Sequence, residues 1–372
     1  MPAVEAPGDR AAPRFVAMSL ERQVTFWIVA LLVVVAALWL LSDILLPFVA
    51  GTALAYLLDP LARRLEGLGI GRAVSALVII VLVIVGFIML VILVAPILGG
   101  QLTALIDDLP RYVTRLQLLV ADPSRPWLAK IFGEQSLGTG QTAGDLVAQG
   151  ARWLAAFIGS LWSGGKALVS LFALLVITPV VAFYLLCDWD RMIATIDNWL
   201  PRPHRATVAK LAREIDAAIA AFVRGQAGVC LILGAYYAAG LTLTGLNFGF
   251  LIGFLSGLFS FIPYVGSLAG LVVAAAVAVA QFAPNWTPIV VVIGIFLIGQ
   301  ALEGYVLAPK LVGSAVGLHP VWLMFALLAF GYLFGFVGLL VAVPLAAAVG
   351  VLARFALRQY LASQIYTGEA QR

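Results

Sequence analysis

The chain has 372 residues, of which 63% are hydrophobic and only 11% charged, with a formal net charge of +4. A mean hydropathy of +1.09 excludes a soluble globular fold, because Lys, Arg, Asp and Glu are the residues that normally face water. Apolar runs of roughly 20 residues exclude a transmembrane β-barrel, whose alternating segments span about 10. The slight basic excess marks the cytoplasmic flank of a membrane protein, and no nucleic-acid partner is expected.

Residues 1–23 read as a short cytoplasmic tail in which Arg10, Arg14 and Arg22 are balanced by Glu5, Asp9 and Glu21. Residues 24–98 form a first membrane segment of three spans, at about 24–42, 44–58 and 73–98. The first apolar run is longer than the core of a signal peptide and flows straight into the second. The loop 59–72 carries Arg63, Arg64 and Arg72 and is placed inside by the positive-inside rule. Residues 99–166 are the largest region outside the membrane; their first part reads as helical, 133–144 as a turn-rich linker and 146–161 as helical again. Its six basic and five acidic residues do not fix its side; counting spans makes it extracytoplasmic.

A fourth span at 167–187 ends in Asp188, Asp190 and Arg191. Residues 188–225 form a cytoplasmic linker. Within it Val208, Leu211, Ile215, Ile219 and Phe222 recur at steps of three and four, as in an amphipathic helix. That helix lies either on the inner membrane surface or against the bundle. Cys187 and Cys230 sit within or at the ends of apolar runs and suggest no disulfide framework.

Residues 226–357 form the core of the chain. Between Arg224 and Arg354 the only charged residues are Glu303 and Lys310, and Pro263, Pro284, Pro288, Pro309, Pro320 and Pro344 punctuate the stretch. Each charge at the bilayer centre costs roughly 2.5–3.5 kcal/mol on insertion scales. Broken helices are tolerated in a membrane only where protein or a water-lined cavity satisfies the freed backbone groups, and transport sites lie at such places. A fifth span at 226–245 leads to two short segments, 249–262 and 266–282, which meet at Pro263–Gly266 as a re-entrant hairpin or as two tilted spans. Further segments at 286–303, 321–336 and 339–357 follow, and residues 358–372 form a cytoplasmic tail. The expected fold is an all-α polytopic membrane protein with about eight crossings and interrupted or re-entrant helices, both termini inside.

Several strings in the second half resemble the autoinducer-2 exporter family of bacterial membrane proteins. They are FYLLCDWDR at 183–191, RGQ at 224–226, FIPYVGS at 261–267, GQALEGYVLAPKLVGSAVGLHP at 299–320 and FGFVGLLVAVPLAA at 334–347. The chain departs from the family in having Cys187 where Lys is commoner, and Ser267 in place of a second Pro. The resemblance implies a multi-span inner-membrane protein that moves a small polar solute, autoinducer-2 being the eponymous substrate. It also implies sodium/proton exchange in some members, and homo-oligomers, with pentamers expected.

Glu303 is the only acidic side chain of the core, and Gln300, three residues earlier, shares its helix face. It is a candidate ion-coupling group, because an intramembrane carboxylate must face protein or water; alternatively it pairs with Lys310 or caps a broken helix. Pro263, Tyr264 and Gly266 mark the helix break, where freed backbone groups with the hydroxyls of Ser260 and Ser267 would line a substrate path; a plain turn is the alternative. Asn247 is a further polar candidate for that path. Gly249, Gly253 and Gly257 repeat every fourth residue, a small-residue face for close helix packing, and Gly331, Gly335 and Gly338 invite the same reading. His319, before Pro320, reads as a turn residue.

No His-Glu-x-x-His pattern is present, and the Ser160–Ala167 stretch lacks the first Gly and the Ser/Thr of a P-loop. Neither an enzyme nor a cofactor or metal is expected. Taken with the resemblance, which implies movement of a small polar solute, the broken helices 249–282 and Glu303 lead to the expectation of a secondary transporter or exporter working by alternating access. A sodium/proton antiporter and a passive channel-like oligomer are the alternatives.

Overall fold

The computed structural model of the protein describes residues 20–120, 165–200, 202–312, 319–363 and 366. The expected linker at 133–144 and the second helical stretch at 146–161 lie outside them. Among the described residues every regular element is a helix. In chain order these are α1 (Leu20–Leu40), α2 (Ser42–Glu66), α3 (Arg72–Val120), α4 (Gly165–Trp199), α5 (Arg205–Leu243), α6 (Gly249–Phe259), α7 (Val265–Phe282), α8 (Trp286–Leu302) and α9 (Pro320–Leu361). A π-helical stretch, Glu303–Val312, continues α8. The chain divides into two units, Met1–Leu45 and Leu46–Arg372.

Seven helices among the described residues are long and apolar enough to cross a bilayer: α2, α3, α4, α5, α7, α8 with its π-helical continuation, and α9. The count of about eight read from the sequence included α1, counted the two parts of α9 separately and left α7 out as half of a re-entrant pair. The chain is an all-α polytopic membrane protein. Its lipid-facing character is plainest on α3, where Leu82, Ile88, Met89, Ile92 and Leu93 are all exposed.

Three helices run past the ends expected from hydropathy. At 1.5 Å per residue, the 49 residues of α3 and the 39 of α5 reach roughly 73 and 58 Å, well beyond a hydrocarbon core of about 30 Å. The fourth span does not close at Cys187 but continues through Asp188 and Asp190 to Trp199, where Arg205 pairs with Asp197 across the turn into α5. The amphipathic stretch 205–224 and the fifth span are one helix. Its first turns are exposed, and from Ala218 to Leu241 it is largely buried. Hydropathy drops where the charged residues begin, but nothing there breaks the backbone ladder, so helix and membrane end at different places.

The main core joins α5, α6, α7 and α8 through Leu233, Tyr237, Leu251, Ala278, Val292 and Phe296. In lipid, helices gain little from hiding apolar surface and associate by close van der Waals packing through small residues. Gly249, Gly253 and Gly257 lie on one row of α6 and face Leu241, Ala238 and Gly234 of α5. A Cβ on any of the three would meet the α5 backbone. A second cluster, including Leu58, Ala76, Ile79, Ala182 and Leu186, joins α2, α3 and α4.

Two breaks shape the second half. Between α6 and α7, Pro263 supplies no N–H, and Tyr264 takes the left-handed conformation at φ 67° as the N-cap of α7. In α9 the chain reverses at Gly335 (φ 59°, ψ −138°), a conformation open in practice only to glycine. Residues 320–334 and 336–361 are therefore the arms of a hairpin, in which Leu327 and Ala342 pack with Ile262 and Gly338 abuts the Phe330 carbonyl. The sequence reading put this break between 336 and 339 and gave Gly335 a packing role. The residue is instead the point of reversal.

Candidate functional site

Four buried polar side chains from α5, α6 and α7 lie at the α6–α7 break. Gln226, Ser256, Ser260 and Ser267 are all buried. Gln226 Nε2 donates to the Ser260 carbonyl at 2.6 Å, tying the start of the fifth span to the break. Ser256 and Ser260 donate back to the carbonyls of Ile252 and Ser256, at 2.6 and 2.8 Å. This is the local bond a helical serine makes when it has nothing else to serve. The amides of Phe261, Ile262 and Val265 already bond to backbone carbonyls in the turn. Gly266 packs so closely that a Cβ there would meet Ser260 and Ser256. The break is a dense turn.

Ser267 reaches across to α8, its Oγ donating to Gln300 Oε1 at 2.7 Å. Gln300 is thus fixed from α7, and Glu303 follows on the same face at the start of the π-helical stretch. Wide π turns inside α-helices occur frequently at functional sites. Glu303 is half-buried, and among the described residues its Oε2 has no hydrogen-bond partner. Among the described residues no ion pair joins it to Lys310, which is exposed.

Among the described residues the other buried side-chain oxygen without a partner is the Tyr237 hydroxyl. Tyr237 is fully buried on α5, its ring stacked on Phe296 at 4.6 Å and 22°. It lies against Gly299, where a Cβ would collide with the phenol. Glu303 is within electrostatic reach of both Tyr237 and Cys230. Buried polar groups in native proteins are nearly always satisfied. Two that are not, within electrostatic reach of each other, form a place that can hold a proton, a cation or a polar solute group. Among the described residues no group of three or more His, Cys, Asp or Glu is placed to hold a metal ion.

Residues 28–358 match the profile of the AI-2E family transporter. The chain belongs to the AI-2E transporter family. It is similar to YrrI of Bacillus subtilis, provisionally named a transport protein, at 31% identity over 84% of this chain and 87% of the relative. PerM of Escherichia coli, provisionally named a permease, is 29% identical over 86% and 90% of the two chains. The AI-2 transport protein TqsA of Escherichia coli is 24% identical over 90% and 91%. As an AI-2E family member the chain is a multi-pass membrane transport protein.

The residues singled out from the sequence of this family member are not all in one place. Ser260, Pro263, Tyr264, Gly266 and Ser267 share the α6–α7 break, and Gln300 and Glu303 join it through the Ser267 bond. Asn247 does not. It sits at the opposite end of α6, about 16 Å away along an 11-residue helix. There its Nδ2 donates to Tyr112 Oη at 2.8 Å and its amide to Gln281 Oε1 at 2.8 Å. Asn247 pins the α5–α6 turn to α3 and α7, and Gln281 adds a bond to the Gly245 carbonyl at 2.8 Å. His319 caps α9, its Nδ1 accepting from the Val321 amide at 3.3 Å. Tyr237 escaped the sequence reading because one tyrosine in an apolar run gives no sign of a stranded hydroxyl. Gln226 stood in the RGQ string, but its partner is 34 residues away.

Proposed function

We propose that this AI-2E family protein is a secondary transporter that exports a small polar organic solute, such as autoinducer-2, across the bacterial inner membrane. Access alternates around the α6–α7 break and the adjoining start of the π-helical stretch, with Glu303 as the coupling group. One observation carries the reading: the buried Glu303 Oε2 and Tyr237 Oη both lack partners. A carboxylate that exchanges a proton or cation between states must be unencumbered in at least one of them, whereas a structural carboxylate would be paired. The Ser267–Gln300 bond makes Glu303 responsive to movement of the break. TqsA is named an AI-2 transport protein, which supports autoinducer-2 as the first solute to try. Both termini are assigned to the cytoplasm and residues 99–166 to the outer side. A homo-oligomer, with a pentamer as the family expectation, is part of the same proposal.

Sodium/proton exchange is the second reading, favoured by the same unpaired carboxylate, which would serve a cation as well as a proton. The test is efflux from proteoliposomes loaded with autoinducer-2, with and without a proton gradient, for wild type and Glu303→Gln. Gradient-dependent efflux that disappears in the variant supports solute and coupling group together. Efflux that needs no gradient and survives the substitution identifies a passive channel-like pathway and leaves Glu303 a structural residue. Absence of efflux, with sodium-driven proton movement in the same vesicles, establishes the antiporter.

A further inference from the structure

Away from the Glu303 site, α2, α3, α4 and α5 enclose a cavity of about 430 Å³, within the range of small-molecule sites. Its walls carry Tyr56, Asp59, Arg63, Arg72, Trp189 and Arg224. The three arginines converge on one carboxylate. Asp59 accepts from Arg63 at 2.9 Å, from Arg72 at 3.1 Å and from Arg224 at 3.5 Å. Arg72 is also held by Glu66 at 2.9 Å and by the Leu186 carbonyl at 2.6 Å, and Arg224 by the Tyr56 carbonyl at 2.8 Å.

Donors and acceptors are unequally used. Each guanidinium carries five N–H donors; Arg63 uses one, Arg224 two and Arg72 three. On the acceptor side, both oxygens of Asp59 are occupied, Glu66 is taken up by Arg72, and Asp216, which also lines the cavity, accepts the Tyr56 hydroxyl on one oxygen at 2.7 Å; the lining sets three guanidinium charges against two carboxylates. The cavity is left with an excess of forked, fixed-charge donors, which are matched by the oxygens of an anion and best by phosphate. The rest of the lining includes the apolar Leu185, Ala217, Ala220 and Ala221 and the Trp189 ring, which meets Tyr56 edge-on at 5.9 Å.

We propose that the cavity between α2, α4 and α5 binds a phosphate ester, its phosphoryl oxygens on Arg63 and Arg224 and its organic part along Trp189 and the alanines of α5. Arg72, with an exposure of 20%, is the fixed wall; Arg63 and Arg224, at 61% and 39%, are tethered at Nε and keep further N–H groups open to a ligand. The same chemistry is offered by a soluble phosphate ester and by a phospholipid headgroup.

The experiment uses the full-length protein in detergent, stripped of lipid, in two arms. In the first, glycerol 3-phosphate is titrated calorimetrically. In the second, phosphatidylglycerol or diacylglycerol is added to the micelles and retention is read by native mass spectrometry. Binding is expected in at least one arm, weakened at least tenfold by Arg63→Gln and by Arg224→Gln but not by Arg64→Gln, which lies off the cavity. Elution volume checks that each variant is folded. Binding of glycerol 3-phosphate identifies a soluble ester, and selective retention of phosphatidylglycerol alone identifies a headgroup. No binding in either arm, or binding that both cavity variants retain at full strength, overturns the proposal.

Discussion

The ring of Tyr237 lies across Gly299, where a Cβ would stand 2.5 Å from the phenol oxygen. Gly299 is one helical turn before Glu303 and on the same face of α8. The missing side chain therefore lets α5 send a hydroxyl toward the only acidic residue of the core. Gly299→Ala displaces the Tyr237 ring, and overpacking of this kind costs roughly 1–3 kcal/mol. The expected result is a lowered melting midpoint in detergent, with solute efflux falling further than stability alone explains. An unchanged midpoint would mean that the ring has room to move and that the contact does not position the hydroxyl.

Tyr237→Phe separates the hydroxyl from the ring. The stack on Phe296 remains, and a buried oxygen without a partner, whose desolvation costs roughly 1–3 kcal/mol, is removed. The melting midpoint should hold or rise. Efflux should nevertheless fall about tenfold or more, equivalent to at least roughly 1.4 kcal/mol on the limiting barrier. If efflux stays at the wild-type level, the hydroxyl has no part in transport.

The sequence displayed the membrane class and the α6–α7 break openly, because apolar runs and Pro263 with Gly266 act through local physics. Gly249, Gly253 and Gly257 were legible for the same reason, as a four-residue period on one helix. The ends of α3, α4 and α5 were not, since hydropathy reports where lipid stops and not where the backbone ladder does. The reversal at Gly335 hid among neighbouring glycines, and only its backbone angles set it apart from Gly331 and Gly338. Least legible were the long-range partners. Arg224 stood in the sequence as the edge of the charge-poor core, yet it bonds to the Tyr56 carbonyl and approaches Asp59 across 165 residues of chain. Asn247 looked like part of a substrate path, yet it ties a turn to Tyr112 from 135 residues away. Such pairings depend on which helices become neighbours, and no local pattern encodes that.

Two glycines of similar appearance should behave oppositely. At Gly257 a Cβ would run into the backbone of Gly234, which has no flexible end to yield, so Gly257→Ala must part α5 from α6. The expected cost is at or above the usual overpacking range of roughly 1–3 kcal/mol, read as a large fall in melting midpoint or loss of folded protein. At Gly294 of α8 nothing lies within 4 Å, so Gly294→Ala should stabilise by roughly 0.4–1 kcal/mol through the unfolded chain. Equal midpoints for the two variants would contradict backbone contact between α5 and α6.

Gly335→Ala tests the hairpin of α9 through the backbone alone. No heavy atom lies within 4 Å of the added Cβ, so any effect comes from holding φ at 59° and ψ at −138° with a side chain present. Strain of that kind costs roughly 1–3 kcal/mol. Gly331→Ala is the matched comparison, since its Cβ would meet only the movable end of the Leu339 side chain, at 2.8 Å. The melting midpoint should therefore fall more for Gly335→Ala than for Gly331→Ala. Cysteines at 327 and 342, which pack in one cluster on the two arms, should cross-link in the wild-type background and less readily in the Gly335→Ala background. Equal cross-linking and equal midpoints would show that α9 does not need a glycine to reverse, and that its two arms are held by packing alone.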